Sequence, residues 1–348
     1  MSDIPESEPV PQATWSEEVL ASAPKVDGAW NFIVIADDAA KESAAVTSLA
    51  LRKGMKAYGL FGDILPALLC GANGFGRGRS TRTVKRYAVL CIPRSGSRYL
   101  ASMLNRAGLG APQEHLREPL ASVITDGKLG FVEAMEGLER FGQRNGIFGT
   151  KLISTFIIAA SNEKLSVLEA NIGAMVARGY QFVHLDRPLN DAVISSYIAF
   201  RLNKWHFFGE LDTSTRNTLD ELAFDDRAVW DEYIRFRAQK IVTDHLAQRF
   251  KVPSFPYSTV QQGAEEIIAS ICDRLNVKRD DLEPGSALIP VPTRRESQTY
   301  GDFEKSLEAV LASRHTEIVP RTIKELRRVA GVDERTAERL AAMAGPAK

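Results

Sequence analysis

Apolar residues in this chain occur in two patterns that follow one another. Short runs that are almost wholly apolar include YAVLC at 87–91, NGIFGTKLI at 145–153 and YQFVHLDRP at 180–188. Each is followed by a longer stretch with apolar residues three or four positions apart. The short runs predict strands buried on both faces, and the longer stretches predict amphipathic helices. Their alternation predicts an α/β fold with a central parallel sheet flanked by helices.

The same patterns divide the chain into four segments. Residues 1–26 are acidic and Pro-rich, which predicts a disordered tail. Residues 27–85 predict an accessory βαβ-like α/β unit that ends in a linker rich in Gly, Ser and Arg. Residues 86–315 hold the main alternation of strands and helices. Residues 316–348 predict two helices around a tight Gly-Val-Asp turn.

Two further elements are predicted within the main segment. Residues 216–250 have helical apolar spacing throughout, which predicts one long helix. The segment VPSFPYSTV at 252–260 combines prolines with apolar and β-branched residues. It predicts a short strand or edge segment, because proline is tolerated at sheet edges.

The C-terminal segment resembles a helix-hairpin-helix motif, on the stretch IKELRRVAGVDERTAERLAAMAG. Such a hairpin can hold a nucleic-acid phosphate or pack against a protein partner. Residues 321–348 contain seven basic and four acidic residues, which is a modest excess. A single hairpin binds DNA weakly. We therefore predict a structural or oligomerisation role, which includes a homodimer contact, and we do not expect nucleic acid as a partner.

Charge and cysteine content narrow the class of protein. Lys plus Arg and Asp plus Glu both number 44, so the formal net charge is zero. No global field attracts nucleic acid or a membrane, and any anion site must be local. Cys70, Cys91 and Cys272 show no paired spacing, which argues against a disulfide framework and a zinc site. A cytoplasmic location fits, and no apolar run approaches the ~18 residues of a transmembrane helix.

The first candidate site is IPRSGSRYL at 92–100, where a strand turns directly into a helix. Backbone N–H groups at a helix N-terminus bind anions. Arg94 adds a forked positive charge, and Gly96 lets the backbone approach a ligand closely. Ser95 and Ser97 add hydroxyl groups. The loop lacks the lysine and the second glycine of the triphosphatase motif G-x-x-x-x-G-K-[ST]. The alternative is a capped helix start with a surface arginine.

The second candidate site is the strand-to-helix turn in HLDRPLNDAVIS. Arg187 lies at the end of the predicted strand, and Ser195 follows eight residues later within the helix. Both side chains can converge on one phosphate. Because ligands of open α/β sheets bind at the carboxyl ends of the strands, both turns lie at the expected edge. Two anion sites on one edge suit a nucleotide with two separate phosphate groups.

Together these motifs resemble the sulfotransferases that use 3′-phosphoadenosine 5′-phosphosulfate (PAPS). The stretch RPLNDAVIS keeps Arg187, Asp191 and Ser195 of the motif R-x-P-x-D-x-x-x-S, with the proline displaced by one position. The loop PRSGS is similar to that of bacterial carbohydrate sulfotransferases of the trehalose sulfotransferase type. Further segments similar to that subgroup are PQEHL at 112–116, FGTKLI at 148–153 and TRRESQTYGDF at 293–303.

The resemblance covers about residues 86–310 and departs from the subgroup at three positions. Arg98 and Tyr99 stand where the subgroup has small residues, and Arg295 stands where it has glutamine. The resemblance implies a sulfotransferase fold with a P-loop-like central sheet. It implies PAPS as donor, a hydroxyl of a carbohydrate or glycolipid as acceptor, and no metal.

The resemblance also implies roles for individual residues. Glu114 is the expected general base, while Lys151 and Arg94 neutralise charge on the transferring group. The residues expected to bind the donor are Arg94, Ser95, Gly96, Ser97, Arg98, Arg187, Ser195 and Arg294.

Alternatives remain open at the level of residues and of function. His115 is the rival base, because an imidazole titrates near neutral pH. Glu114 could instead be a surface carboxylate, and Lys151 could be an edge residue that extends its ammonium group to solvent. One alternative function is a nucleotide-dependent kinase or phosphotransferase with an unusual loop. The other is a non-catalytic protein that binds nucleotide or nucleic acid.

Overall fold

The computed structural model of this protein describes residues 30–34, 55–59, 65–70, 84–205, 213–286 and 298–344. The chain divides into two compact units, residues 1–64 and residues 65–348. The predicted tail 1–26 and most of the predicted linker lie outside the described residues. The predicted boundary at residue 86 falls inside the second unit.

The first unit contains two described strands, β1 (Trp30–Val34) and β2 (Met55–Gly59). They pair in parallel, with Trp30 opposite Met55. Parallel neighbours need a crossover connection, so the pairing is the one that a βαβ-like unit requires. The predicted helix between the strands lies outside the described residues.

The second unit is an α/β structure whose central sheet has four strands, all parallel, in the order β4-β3-β5-β6. Its strands are β3 (Lys85–Cys91), β4 (Ile147–Ile153), β5 (Tyr180–Asp186) and β6 (Ser254–Pro256). The described helices are α1 (Leu65–Cys70), α2 (Ser97–Arg106), α3 (Leu120–Thr125), α4 (Phe131–Gly142), α5 (Ser154–Ala159), α6 (Leu165–Ala177), α7 (Leu189–Arg201), α8 (Thr213–Asp220), α9 (Asp226–Arg249), α10 (Tyr257–Gln261), α11 (Glu265–Leu275), α12 (Gln298–Ser313), α13 (His315–Ala330) and α14 (Glu334–Met343).

Helices cover both faces of this sheet, as its uninterrupted apolar strands require. On one face, Tyr87, Val89 and Cys91 of β3 pack in a buried cluster with residues of α2 and α11. Side chains alternate along a strand, so Ala88 and Leu90 point to the opposite face. There β3 contacts α9, and the neighbouring strands contact α4 and α6. The predicted α/β class with a helix-flanked parallel sheet is therefore confirmed.

The predicted single helix over residues 216–250 is wrong, because the chain breaks between α8 and α9. The Asp225 carboxylate accepts hydrogen bonds from the backbone N–H groups of Arg227 (3.1 Å) and Ala228 (3.0 Å). This is the N-cap arrangement that starts a new helix. The predicted strand at 252–260 is also shorter in the structure, since Tyr257 already begins α10.

The C-terminal hairpin packs against its own unit. Helix α13 lies along α9, and Leu326 and Ala337 are fully buried. At the turn, Gly331 has a φ of 54°, and a β-carbon added there would lie 2.6 Å from the Glu163 carbonyl oxygen. The turn therefore lies against the backbone at Glu163.

None of the helices that the structure describes has the length and the apolar character needed to cross a membrane. Cys91 and Cys272 are free thiols, and both are buried in the cluster under α2 and α11.

We predict that Gly149→Ala destabilises the second unit. A β-carbon at Gly149 in β4 would overlap the ring of Tyr87, which is fully buried and donates its hydroxyl to the Leu109 carbonyl (2.9 Å). Overpacking of this kind costs about 1–3 kcal/mol. Urea unfolding followed by circular dichroism measures the effect.

Gly173→Ala is the matched control for this variant. Gly173 lies in α6, and an added β-carbon would meet only Phe250, at 3.9 Å. Replacing a helical glycine by alanine stabilises by up to about 1 kcal/mol. A Gly149→Ala protein at least as stable as the Gly173→Ala protein would contradict the close packing of β4 on Tyr87.

Candidate functional site

A cavity of about 580 Å³ lies at the carboxyl edge of the sheet. All four strands of that sheet supply a lining residue within three positions of their last residue. Arg94 follows β3, Thr155 follows β4, Arg187 follows β5 and Tyr257 follows β6. The volume is within the range typical of sites for small molecules.

The loop between β3 and α2 forms one wall of the cavity. Gly96, Ser97 and Arg98 line it, whereas Ser95 is fully buried beneath the loop. Gly96 has a φ of 80° and caps α2 without a side-chain hydrogen bond. A β-carbon at Gly96 would lie 2.6 Å from the ring of Tyr257. Glycine is therefore required there both by the backbone conformation and by this close approach.

The two predicted anion-binding turns meet in the folded chain. The Arg94 Nε donates to the Ser195 hydroxyl at 3.2 Å, and its Nη1 donates to the Trp205 carbonyl. The Arg187 Nη1 donates to the backbone carbonyl of Arg94. Arg94, Arg187 and Ser195 thus form one hydrogen-bonded cluster that joins the two turns.

This cluster places two positive charges side by side in a mostly buried location. Arg187 is only 6% exposed and lies over the ring of Tyr257, 4.3 Å from the centroid. Burial, and then the nearby charge of Arg187, lowers the pKa of Arg94 to about 10. A like charge next to a buried cation is unfavourable. An anion bound between the two arginines would relieve this repulsion, so the cluster suits a phosphate or sulfate group.

A backbone bridge between Gln113 and β4 brings the neighbouring Glu114 to the cavity. The Lys151 N–H donates to the Gln113 carbonyl (2.8 Å), and Gln113 pairs in parallel with Thr150 of β4. This bridge holds the loop after α2 against the sheet. Glu114 consequently lines the cavity, with its carboxylate between two cations. The Lys151 ammonium donates to Oε1 at 2.9 Å, and the Arg117 Nη1 lies 3.7 Å from Oε2.

Lys151 and His115 both lie behind the cavity wall and do not line it. The Lys151 side chain is only 1% exposed, and its ammonium group is directed at Glu114. The His115 Nδ1 lies 3.0 Å from the Thr150 hydroxyl, and its ring stacks on Phe148. Burial, with a smaller effect of Lys151, lowers the pKa of His115 to about 4. Of the two rival bases, Glu114 faces the cavity.

Among the other predicted site residues, Arg94, Gly96, Ser97, Arg98, Arg187 and Ser195 line the same cavity as Glu114. Arg294 lies outside the described residues. Several side chains that the sequence interpretation missed also line the cavity, and five of them are polar or aromatic groups of particular interest. These are Arg117, Phe156, Trp205, Arg235 and Tyr257. Position directly after a strand could have identified Tyr257, whereas no local motif marks the others.

We expect His115 to make the stability of the protein fall at mildly acidic pH. The folded imidazole stays neutral down to a pKa of about 4, while the unfolded chain takes up a proton near the usual value of 6.5. The contribution of His115 to the free energy of unfolding is therefore fully present above about pH 6.5, and it is lost as the pH falls toward 4. Each such group changes the free energy of unfolding by up to about 1.4 kcal/mol per pH unit.

Urea unfolding of the wild type and of His115→Gln at several pH values measures this contribution. His184 is also buried, with its pKa lowered to about 4, so the variant should keep part of the pH dependence. An NMR titration of the His115 ring with a midpoint near 6.5 would show that the imidazole is not held in its neutral form by the fold.

Comparison with known proteins gave no match: neither a model of a protein family nor a curated protein matches this chain. Arg94, Arg187 and Ser195 form a positively charged cluster at the carboxyl edge of a parallel sheet. Glu114 supplies one carboxylate in the same cavity. The arrangement is a positively charged cleft in which Glu114 is the one acidic side chain among the described lining residues.

Proposed function

We propose that this protein transfers a sulfuryl group from PAPS to a hydroxyl of a carbohydrate or glycolipid, and that its second unit has the sulfotransferase fold. One observation carries the proposal. Arg94, Arg187 and Ser195 converge in a cavity that also contains the carboxylate of Glu114. Transfer from a doubly phosphorylated donor to a hydroxyl requires both of these features.

The donor binds through its two phosphate-bearing ends. Arg187 and Ser195 hold the 3′-phosphate, and the loop from Arg94 to Arg98 holds the 5′-phosphosulfate. Arginine binds phosphate through two parallel hydrogen bonds, which fixes orientation as well as charge. The ring of Tyr257 beneath the Arg187 guanidinium keeps that group in place. The first-turn N–H groups of α2 add donors, since no side chain caps that helix.

The transfer requires no reactant other than PAPS and the acceptor hydroxyl. The acceptor oxygen attacks the sulfur atom, and the bond from sulfur to the 5′-phosphate oxygen breaks. The products are a sulfate ester and adenosine 3′,5′-bisphosphate. Glu114 takes the proton of the acceptor hydroxyl. Arg94 and the loop N–H groups stabilise the negative charge that develops on the leaving phosphate oxygen.

Lys151 acts through its ion pair with Glu114. The pair orients the carboxylate toward the cavity while Glu114 is ionised. Once Glu114 has accepted a proton, its attraction for the ammonium group falls, and the charge of Lys151 can stabilise the transferring group.

A nucleotide kinase or phosphotransferase is the second candidate. It would also bind an adenine nucleotide through a strand-to-helix loop. The loop here offers Arg94 where such enzymes place a lysine for the β- and γ-phosphates. Preference for ATP with Mg²⁺ over the bisphosphate separates the two candidates in the first experiment below.

We predict that adenosine 3′,5′-bisphosphate binds and raises the melting temperature without Mg²⁺, because a ligand that binds the folded state stabilises it. Arg187→Ala should weaken binding of the bisphosphate by about ten- to a hundredfold, which corresponds to the loss of one charge-assisted hydrogen bond. It should weaken adenosine 5′-phosphosulfate much less, since that nucleotide has no 3′-phosphate. Isothermal titration of both nucleotides measures the difference.

Arg249→Ala is the control for this experiment, because Arg249 is half-exposed, pairs with Glu169 and does not line the cavity. An equal loss of both nucleotides in Arg187→Ala would mean that Arg187 holds the fold of the site rather than the 3′-phosphate. A much larger stabilisation by ATP with Mg²⁺ would replace the sulfotransferase proposal with the kinase.

Glu114→Gln tests the base, because it keeps the shape of the side chain and removes its basicity. We expect kcat to fall by about 10²–10⁴-fold, the usual contribution of general base catalysis, with bisphosphate affinity nearly unchanged. Transfer from radiolabelled PAPS to a mixture of sugars and glycolipids is the assay. His115→Gln should cost much less. A dead His115→Gln enzyme beside an active Glu114→Gln enzyme would reverse the assignment.

A further inference from the structure

The cavity wall carries more positive charge than the donor uses. Among the residues that the structure describes, its charged lining consists of one glutamate, Glu114, and five arginines: Arg94, Arg98, Arg117, Arg187 and Arg235. In the proposed function the loop arginines and Arg187 bind the donor. Arg117 and Arg235 are left over, and neither lies in the turn that directly follows β3 or β5.

Arg117 lies beside the proposed base and over an aromatic ring. Its Nη1 is 3.7 Å from Glu114 Oε2, and its Cζ is 5.6 Å from the centroid of the Phe156 ring. Phe156 belongs to α5, which starts directly after β4, and it lines the cavity. A hydroxyl that gives its proton to Glu114 must therefore lie within a few ångströms of a guanidinium group.

Arg235 approaches the same wall from helix α9. One turn later on that helix, the Gln239 side-chain oxygen accepts hydrogen bonds from the hydroxyls of Ser154 (2.9 Å) and Thr155 (3.3 Å) at the start of α5. Residues four positions apart lie on one face of a helix. Arg235 therefore faces the part of the cavity that Thr155 and Phe156 line.

Neither arginine is strongly held by its present partner. The side chain of Arg117 is 64% exposed and pairs with Glu114, and that of Arg235 is 48% exposed and pairs with Glu232. Exposed ion pairs contribute about 0–1 kcal/mol. A ligand that brings a negative group can exchange partners with either arginine at little cost.

We propose that the acceptor is an acidic carbohydrate, whose carboxylate or phosphate group binds Arg117 and Arg235 while its ring packs on Phe156. The proposal rests on the proposed function and narrows its acceptor class. A neutral sugar would leave both arginines unused and would meet a strongly positive wall. An acidic sugar neutralises that wall and is oriented with a hydroxyl toward Glu114.

The test measures sugar binding to the full chain saturated with adenosine 3′,5′-bisphosphate, which fills the donor site. Methyl glucuronide, methyl glucoside 6-phosphate and methyl glucoside are titrated by NMR, and the three differ only in the group at C6. At least one acidic sugar should bind about tenfold more tightly than the glucoside, which is the value of one charged hydrogen bond. The preference should decline with salt, because exposed charges are screened.

Arg117→Gln should reduce this preference for the acidic sugar by about tenfold. The preference for acidic over neutral sugar, rather than the affinity, is the readout, because a general change in the shape of the cavity would alter binding of both kinds of sugar. Arg117→Lys, which keeps the charge, should retain part of the preference. Arg249→Gln is the matched control, since Arg249 is 54% exposed, pairs with a glutamate and lies away from the cavity.

The outcomes separate this inference from the proposed function. Failure of the bisphosphate to bind overturns the proposed function, and the acidic acceptor falls with it. Binding of the bisphosphate, with no advantage of either acidic sugar over the glucoside, overturns the acceptor class alone. A preference that survives Arg117→Gln unchanged overturns the assignment of Arg117 as the residue that binds the acidic group.

Discussion

The site depends on the parallel pairing of β3 with both β4 and β5. In this register Cys91 lies opposite Ile153 on one side and Leu185 on the other, so the three strands end at one level. Whatever residue follows each strand must then project into the same space. Arg94 and Arg187, which lie 93 positions apart in the chain, become hydrogen-bonded neighbours for this reason alone. Antiparallel pairing would have placed them at opposite edges of the sheet.

Electrostatic repulsion within the site is balanced by contacts around it. The neighbouring charges of Arg94 and Arg187 are tolerated because backbone carbonyls accept from their guanidinium groups and because the Tyr257 ring lies under Arg187. The same ring packs against Gly96, so one aromatic side chain ties the anion-binding loop to the second arginine. A site arranged in this way holds its positive charges in position before an anion arrives, which lowers the cost of binding.

The opposite wall of the cavity holds Glu114, the proposed base, next to the space proposed for the acceptor. Glu114 is held by Lys151 from behind the wall and by Arg117 from the solvent side. The two cations differ in exposure, and so they differ in function. Lys151 is enclosed behind the wall and contacts the cavity through Glu114, whereas Arg117 lines the cavity itself. Positive charge on both walls suits the proposed reaction, in which donor and acceptor are both anions.

The sequence by itself determined the α/β class, the main strands, and the two turns with Arg94, Arg187 and Ser195, because each is written in a short contiguous pattern. It did not determine the break at Asp225, where one capping carboxylate overrides helical spacing that continues on both sides. Only the tertiary structure decided that Glu114 pairs with Lys151, that Tyr257 lies against Gly96, and that Arg117 faces the cavity. The physical reason is that each of these contacts either joins segments that are distant in the chain or depends on the direction in which a loop folds back. The local spacing of residues determines neither.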